Sequence, residues 1–535
     1  MLTSRRWRAF AVCVLLAVLH TWPLALDPGR YSRNDNADTE LNEWIMAWVA
    51  HQLPRDPLHL FEANIFYPAH DALAFSEPLV VPALMGAPLA WTGSSPVLVY
   101  NVILIAGFAL TAFATCLVIE TWTGSVLAGL VAGSAFAFNT HTLTRLAHIQ
   151  GIHIYGLPLA LLALERLIRG GSTKAAFALA GSLALLAYTS GYLIVFAAIM
   201  IDVVLIVRIK EWWPSLRSVA PKLALAAVVT AVVIAPVYLP YRRAAIDQHM
   251  LRSLDIIKDY SATPLGYLAS AGRIHGSTWS ARFFKDPVDS FFPGFTVTAL
   301  ALLAMFLAWR RDSPLTRARV TMLVAMAVAG VVLSLGTATP VYGWLFTIFP
   351  PMQGLRAAAR FGNLFLLGLA LLAGIGLAAW KPARWIAIAA LILVNAEALR
   401  APFTYTPFTG IPELYSMLAK EPGPVVLAEQ PFFPRWAIFQ NSHYVLASTA
   451  HWRPLMNGYS GYTPDSYQKY ADAFWYFPEE WAIDAMKNAG VTHVMVHPAA
   501  FHKDHQAVLP ALEGRRDFEL VGIGPNEMRL YRLKR

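Results

Sequence analysis

The chain has 535 residues, of which 57% are hydrophobic and 14% are charged, a composition typical of a polytopic membrane protein. Its formal net charge of +9 comes largely from Lys and Arg residues in short loops between apolar runs. Membrane topology explains this distribution, so the charge gives no reason to infer nucleic-acid binding. The 2 cysteines, Cys13 and Cys116, both lie in apolar runs and argue against a disulfide framework.

About eleven segments are apolar enough to be predicted as membrane-spanning helices. They are residues 7–24, 96–119, 124–139, 152–168, 174–189, 191–207, 220–240, 293–309, 318–336, 362–380 and 383–399. With a cytoplasmic N-terminus, most of the loops on the cytoplasmic side are rich in Lys and Arg, as the positive-inside rule requires. The first segment has the Arg-rich start of a signal peptide, but its length favours an uncleaved helix. The short run 78–91 holds several prolines and is predicted to be interfacial or re-entrant.

This topology predicts a many-helix membrane domain over residues 1–400, with large outer loops at 25–95 and 241–292. Residues 401–535 are predicted to form a small α/β domain outside the cytoplasm. "PVVLAE", "THVMVH" and "EMRLYRL" are typical of short strands, and "EEWAIDAMKNAG" of a helix ended by Gly490.

The first outer loop begins with the acidic stretch "NDNADTELNEW", residues 34–44. It opens a helix whose apolar face would carry Leu41, Trp44, Ile45, Trp48 and Val49. The two tryptophans suit a helix that lies in the membrane interface.

Asp38 lies at the start of this helix. One interpretation is that Asp38 caps the helix. The other is that it acts as a general base at the membrane surface.

A second polar cluster is "NTHTLTRLAHIQGIH", residues 139–153. A helix would stack His141, Arg145 and His148 on one face, with Gln150 and His153 close by. The cluster is either a polar interfacial loop or a substrate site. A divalent metal is left open, but histidine spacing alone is weak evidence for one.

A third cluster is "GLRAAARF", where Arg356 and Arg360 are spaced i, i+4. Like charges at this spacing destabilise a helix unless an anion lies between them, and arginine binds phosphate well. The alternative is that both are arginines whose charged ends reach the lipid headgroups.

The tail is dense in aromatic residues over 451–481, including Tyr459, Tyr462, Tyr467, Tyr470, Trp475 and Tyr476. These rings could stack on sugars, form part of a core, or rest on the bilayer. No phosphate-binding loop, dinucleotide fingerprint, HExxH or GxSxG motif is found, so ATP-driven transport and simple hydrolase chemistry lose support.

In chain order, "DTELNEWIMAWVAHQLPRDPLHLFEANIFYPAHDALAFSEPLV", "RLAHIQGIHIYGLPLALLALERL", "GLRAAARF" and "NGYSGYTP" resemble a bacterial group of large membrane proteins related to the GT-C glycosyltransferases. The resemblance implies a many-helix GT-C fold and a polyprenyl-phosphate-linked sugar donor. It also implies an essential acid in the first outer loop, at Asp38 or alternatively Asp35, and a second carboxylate at Glu77. The group has an aromatic–Arg pair where this chain has "NTHTLTR", which puts the role of Arg145 in question.

The resulting hypothesis is a glycosyltransferase in the bacterial cytoplasmic membrane, acting on its outer face on a glycan, lipid or protein acceptor. Substrate or phosphate binding is assigned to six residues: Arg145, His148, Gln150, His153, Arg356 and Arg360. Acceptor binding is assigned to Asn457, Tyr459 and Tyr462. The rivals are a lipid-linked glycan carrier, which predicts a path of charges such as Glu165 and Asp202 within the spans, and an envelope assembly protein without catalysis.

Overall fold

The computed structural model describes residues 4–285, 289–310 and 313–534, with the side chains of 502–506 left out. The chain divides into two compact units. The first unit comprises Met1–Pro28, Asn101–Val237 and Leu251–Tyr405. The second comprises Gly29–Tyr100, Tyr238–Met250 and Thr406–Arg535. The predicted boundary at residue 400 stays a prediction.

The first unit is helical because its segments are long apolar runs that satisfy their own backbone hydrogen bonds. Its helices within the described residues are Ser4–His20, Val126–Ala137, Thr140–Leu143, Gly156–Gly170, Thr173–Ala187, Gly191–Val207, Ile209–Trp212, Leu254–Asp259, Arg273–His275, Phe295–Arg310, Pro314–Ser334, Pro340–Ile348, Gly362–Trp380 and Arg384–Ala398. Pro96–Thr123 and Leu216–Asp247 also lie mainly in this unit.

Each predicted span contains a helix, so the apolar runs predicted these elements correctly. Within the described residues, 5 helical stretches are long and apolar enough to cross a membrane. They are Pro96–Thr123, Ile149–Gly170, Ile209–Asp247, Pro314–Ser334 and Ala358–Trp380. These stretches define a multi-pass membrane protein, whereas the count of about eleven spans and the orientation stay predictions.

A buried ionic cluster joins three segments of the first unit. Glu165 lies 2.8 Å from Arg319 Nε and 3.3 Å from Arg208, and all three side chains are largely buried. Arg208 also pairs with Glu211. Because two guanidinium groups share the Glu165 carboxylate, the charge proposed for a carrier path is neutralised inside the helix bundle. Asp202, the other candidate for that path, is exposed on its helix.

Close helix packing depends on glycine at one position in particular. At Gly376, in Gly362–Trp380, an added Cβ would overlap the carbonyl oxygen of Leu300, in Phe295–Arg310. The two backbones approach so closely only because glycine has no side chain.

The second unit contains a four-stranded sheet with the order Leu427–Gln430, His493–Val496, Arg529–Leu533, Phe518–Ile523. The first two strands are parallel and the other neighbours antiparallel. Its helices are Ala37–Gln52, Val80–Trp91, Glu413–Lys420, Ser442–Ala447, Asp465–Phe474, Glu480–Asn488 and His505–Leu512. A two-stranded ribbon pairs Tyr31–Ser32 with Thr406–Pro407.

The three predicted strands and the predicted helix of the tail are confirmed, and Gly490 follows the helix with a φ of +82°. The run 78–91 forms the helix Val80–Trp91, while its placement at a membrane stays a prediction.

We expect Gly376→Ala to lower the free energy of unfolding by about 1–3 kcal/mol, because the methyl group must push two packed helices apart. Thermal unfolding of the detergent-solubilised protein measures this change. Gly181→Ala is the matched control, since Gly181 lies in a helix and an added Cβ there meets nothing within 4 Å. Equal melting temperatures for the two variants would contradict the packing argument.

Candidate functional site

The first unit contains a cavity with several basic residues in its lining. Four residues predicted to bind substrate line it: Arg145, His148, Gln150 and Arg360. His141 and Tyr192 also contribute to the wall. Three sequence segments far apart in the chain therefore converge on one cavity.

Residues 139–153 reach this cavity by a series of turns, and they do not form the one helix that would have stacked His141, Arg145 and His148 on a single face. The helix Thr140–Leu143 is one turn long, with Asn139 Oδ1 accepting from Thr142 N at 2.9 Å as its N-cap. A second short helical turn follows at Ile149–Gly151. Turns, not a helical face, bring His141, Arg145 and His148 to the same wall.

Arg360 lies over the ring of Tyr192, with 4.6 Å from its guanidinium carbon to the ring centroid. The Tyr192 hydroxyl accepts hydrogen bonds from the backbone N–H groups of Arg356 and Ala357, each at 3.0 Å. These amides are thereby satisfied outside a helix. The side chain of Arg360 is held on an aromatic face at the wall of the cavity.

Arg356 takes a different position, so the predicted i, i+4 pair on one helix is wrong. Arg356 precedes the short helical turn Ala358–Phe361 and lies over Tyr260 at 5.1 Å. It is not among the residues that line the cavity. Of the two arginines, Arg360 is the one that lies at the wall of the cavity.

His153 is a buried structural residue. Its Nε2 lies 3.0 Å from the carbonyl oxygen of Ile103, and its ring packs against Gly107. Within the part of the chain that the structure describes, His153 does not line the cavity, so its predicted role in phosphate binding loses support.

Two further contacts shape the basic wall. Arg145 lies 3.8 Å from the buried carboxylate of Asp289. His141 stacks on Phe291 with ring centroids 4.3 Å apart. Both partners belong to the segment 241–292 that was predicted as the second outer loop. Among the described residues no group of three or more metal-binding side chains occurs, so no metal site is assigned.

The second unit holds the acidic stretch. Asn36 caps the helix Ala37–Gln52, its Oδ1 accepting from Asp38 N at 2.9 Å, so the interpretation of Asp38 as the cap is wrong. The Asp38 carboxylate is half-buried and accepts a hydrogen bond from the Tyr459 hydroxyl at 2.7 Å. Asp35 is exposed and bound by Arg33, whose Nε lies at 3.0 Å. Of these two acids, Asp38 is the one fixed by an uncharged donor.

The rest of this helix is enclosed by protein. Trp44 and Trp48 are buried and donate hydrogen bonds to Asn64 Oδ1 at 3.3 Å and to Leu60 O at 2.9 Å. Their burial removes the reason for placing this helix in the membrane interface, and its position relative to the membrane stays a prediction.

Two acids that the sequence did not single out as site residues lie on the same helix. Glu40 accepts a hydrogen bond from the Ser442 hydroxyl, and its carboxylate lies 3.4 Å from His443 Nδ1. Glu43 is buried, and burial together with the nearby charge of Glu40 raises the pKa of Glu43 well above its ordinary value.

The tail segment "NGYSGY" packs through its glycines. Gly458 lies against the ring of Phe66, and Gly461 lies against the carbonyl oxygen of Phe75. This close packing brings Tyr459 to Asp38, and the hydroxyl of Tyr462 donates to Gln248 O at 2.6 Å.

Asn457 lies at the start of this segment and is fully buried. Its side-chain oxygen accepts a hydrogen bond from Glu429 N at 2.8 Å, and its side-chain nitrogen donates one to Glu429 O at 3.1 Å. Asn457 is therefore structural, which removes the basis for its predicted acceptor role. Glu77 is half-buried beside Ser76, whose carbonyl oxygen accepts from the Tyr241 hydroxyl.

The apolar helical stretches define a multi-pass membrane protein, and its first unit holds a cavity with basic residues in its wall. No protein-family model matches the sequence. A comparison with curated proteins finds no similar sequence.

The structure is similar to that of the arabinofuranosyltransferase AftD from Mycobacteria, with a TM-score of 0.59, 15% identity and coverage of 100% of this chain and 40% of that chain. It is also similar to the Archaeoglobus fulgidus oligosaccharyltransferase tethered with an acceptor peptide, with a TM-score of 0.50, 12% identity and coverage of 99% and 74%. Both are GT-C glycosyltransferases, so the GT-C-like fold that the motifs imply is confirmed. The chain spans less than half the length of AftD.

We expect Glu43→Gln to change the pH dependence of stability. The raised pKa of Glu43 means that the folded state keeps a proton which the unfolded chain releases, so wild-type stability falls as pH rises above the unfolded pKa. The neutral amide removes this loss, which amounts to at most about 1.4 kcal/mol for each pH unit. The stabilising effect of the variant should therefore grow between about pH 5 and about pH 8 in denaturant unfolding.

The solvent-exposed Glu413→Gln serves as the matched control for the charge change. A Glu43→Gln effect that stays constant across this pH range would show that Glu43 is not held protonated in the folded protein.

Proposed function

We propose that the protein is a glycosyltransferase that moves a sugar from a polyprenyl-phosphate donor to an acceptor on the outer face of the cytoplasmic membrane. The observation that carries the proposal is the cavity lined by Arg145, His148 and Arg360 in a chain with the GT-C fold. A glycan, a lipid or a protein side chain would serve as acceptor. The N-terminus would be cytoplasmic and the tail external.

The cavity would bind the phosphate of the donor. Arg360 has no acidic partner among the described residues, and its guanidinium lies on the Tyr192 ring at the cavity wall. A planar guanidinium binds two phosphate oxygens at once. Arg145 and His148 would stabilise the negative charge that grows on the leaving phosphate as its bond to the sugar breaks.

Asp38 of the second unit would be the general base. It would take the proton of an acceptor hydroxyl while that oxygen forms a bond to the anomeric carbon of the sugar. The bond from this carbon to the lipid phosphate breaks, and the phosphate leaves with the electron pair. The Tyr459 hydrogen bond supports this role because it fixes the orientation of the carboxylate.

The neighbouring acids would have smaller roles. Asp35 is already bound by Arg33, which makes it the weaker candidate for the base. Glu77 would be a second carboxylate that orients the acceptor. Tyr459 and Tyr462 would bind the acceptor. Their hydrogen bonds to Asp38 and to Gln248 O would hold the two side chains in place.

The carrier hypothesis has less support, because Glu165 is neutralised by two arginines in the bundle. Neither this hypothesis nor an assembly role requires a carboxylate at Asp38. Variants of this acid therefore separate both from catalysis.

Asp38→Asn should lower sugar transfer by about 10²–10⁴-fold, the usual contribution of a general base. Membranes with equal amounts of each variant are followed for consumption of the lipid-phosphate sugar pool, and detergent elution profiles report folding. Asp35→Asn should change the rate by less than about fivefold, since an exposed ion pair contributes little. Normal transfer by Asp38→Asn, Asp35→Asn and Glu77→Gln alike would make the catalytic proposal wrong and favour the carrier.

Tyr459→Phe should reduce kcat about tenfold while leaving the KM for the donor unchanged. The ring and its packing remain, and only the hydrogen bond that orients Asp38 is lost. Tyr476→Phe, on the exposed surface of the tail, is the matched control. A rise in donor KM with normal kcat would show that Tyr459 contributes to binding and does not position the acid.

A further inference from the structure

Gln150 is a buried polar residue at the wall of the cavity. Its side chain is only 7% exposed, and its amide oxygen has no hydrogen-bond partner among the residues that the structure describes. It lies in the short helical turn Ile149–Gly151, which fixes its backbone. A buried amide oxygen left in this state destabilises the protein unless a ligand supplies a donor.

The other neutral polar residues at this wall already have partners. The Thr142 hydroxyl donates to Asn139, and the Ser190 hydroxyl accepts from Tyr192 N at 3.1 Å. The Asn363 amide donates to the carbonyl oxygen of Arg360 at 2.9 Å. Gln150 is therefore set apart from them by its lack of a partner.

A carbonyl-type oxygen needs a hydrogen-bond donor as its partner, and the oxygens of an ionised phosphate diester carry no hydrogen to donate. Phosphate binding alone would leave the Gln150 oxygen unsatisfied. A hydroxyl group of the sugar attached to that phosphate supplies the missing donor.

The charges at the wall limit which sugar fits. Arg145 and Arg360 are permanently charged, and His141 and His148 add charge when protonated. No carboxylate occurs among the described residues that line the cavity, and the nearby Asp289 is directed to Arg145 at 3.8 Å. An ammonium group on the sugar would meet cations and no compensating anion.

Resting on the proposed role of the cavity in donor binding, we infer that Gln150 accepts a hydrogen bond from a sugar hydroxyl and that the cavity selects uncharged sugars over amino sugars. Arg360 holds the phosphate, and Gln150 distinguishes the sugar. Substitutions of the two residues should therefore affect different parts of the donor.

The test measures the binding of five lipid probes to the full-length, detergent-solubilised protein. The probes are undecaprenyl phosphate, its glucosyl ester, and the 2-, 3- and 4-amino-deoxy analogues of that ester. A detergent sample without lipid is the blank. Wild-type protein should bind the glucosyl lipid at least about tenfold more tightly than each amino analogue.

Gln150→Leu should weaken binding of the glucosyl lipid about tenfold and leave binding of undecaprenyl phosphate unchanged. Gln150→Glu should shift the preference toward at least one amino analogue, because it adds a carboxylate to the wall. Arg360→Ala should weaken binding of every lipid phosphate. The melting temperature of Gln150→Leu should equal or exceed that of the wild type, since no internal hydrogen bond is lost.

If Arg360→Ala weakens all the lipids but neither Gln150 variant changes the ratio of glucosyl to amino lipid, the inference is wrong and the proposed donor site stands. Equal wild-type affinity for glucosyl and amino lipids also overturns the inference. If no lipid phosphate binds to the wild type, the donor site and the inference fall together. A large loss of stability in Gln150→Leu would show that the amide is structural.

Discussion

The hydroxyl of Tyr192 accepts two consecutive backbone N–H groups, from Arg356 and Ala357, and the geometry of the cavity depends on this interaction. A buried amide without a partner is costly, so these residues remain outside a helix only while the hydroxyl is present. The same tyrosine presents its ring to Arg360. The Tyr192 side chain thus fixes both the backbone before the helix Gly362–Trp380 and the guanidinium of Arg360 at the cavity wall.

In the second unit, residues from the two ends of the chain hold one helix. Tyr459 binds Asp38 and Ser442 binds Glu40, across separations of 421 and 402 residues. The candidate base is therefore oriented only after the tail has folded against Ala37–Gln52. The glycines of "NGYSGY" permit this contact, because Gly458 has no side chain to collide with Phe66.

The long apolar runs predicted the helices, and the short apolar runs predicted the strands, because both patterns reflect local burial. Errors arose where a residue distant in sequence changed the local conformation. The i, i+4 spacing of Arg356 and Arg360 suggested that both lie on one helix. In the structure, the backbone N–H groups of Arg356 and Ala357 donate instead to the Tyr192 hydroxyl. Tyr192 lies at the start of the helix Gly191–Val207, and nothing local in the sequence showed what its hydroxyl would bind.

The acidic stretch was also only partly predictable. Its helix was predicted correctly, yet Asn36 takes the capping position, so Asp38 is not needed there. Enclosure of the helix on several sides could not be read from one apolar face, which is why the burial of Trp44 and Glu43 was missed. Gln150 was identified as polar and close to the cluster, but its lack of a partner is a property of the folded wall.

The ionic cluster of the first unit has a consequence for biosynthesis. Glu165 leaves the ribosome before Arg208, and Arg319 follows Glu165 by 154 residues. In a nascent chain that ends before Arg319, Glu165 has Arg208 as its one counterion. The helix Pro314–Ser334 later adds Arg319 to this existing pair. Since an unpaired buried charge is unfavourable, the helix Pro314–Ser334 completes the charge balance of Glu165, Arg208 and Glu211 when it packs into the bundle.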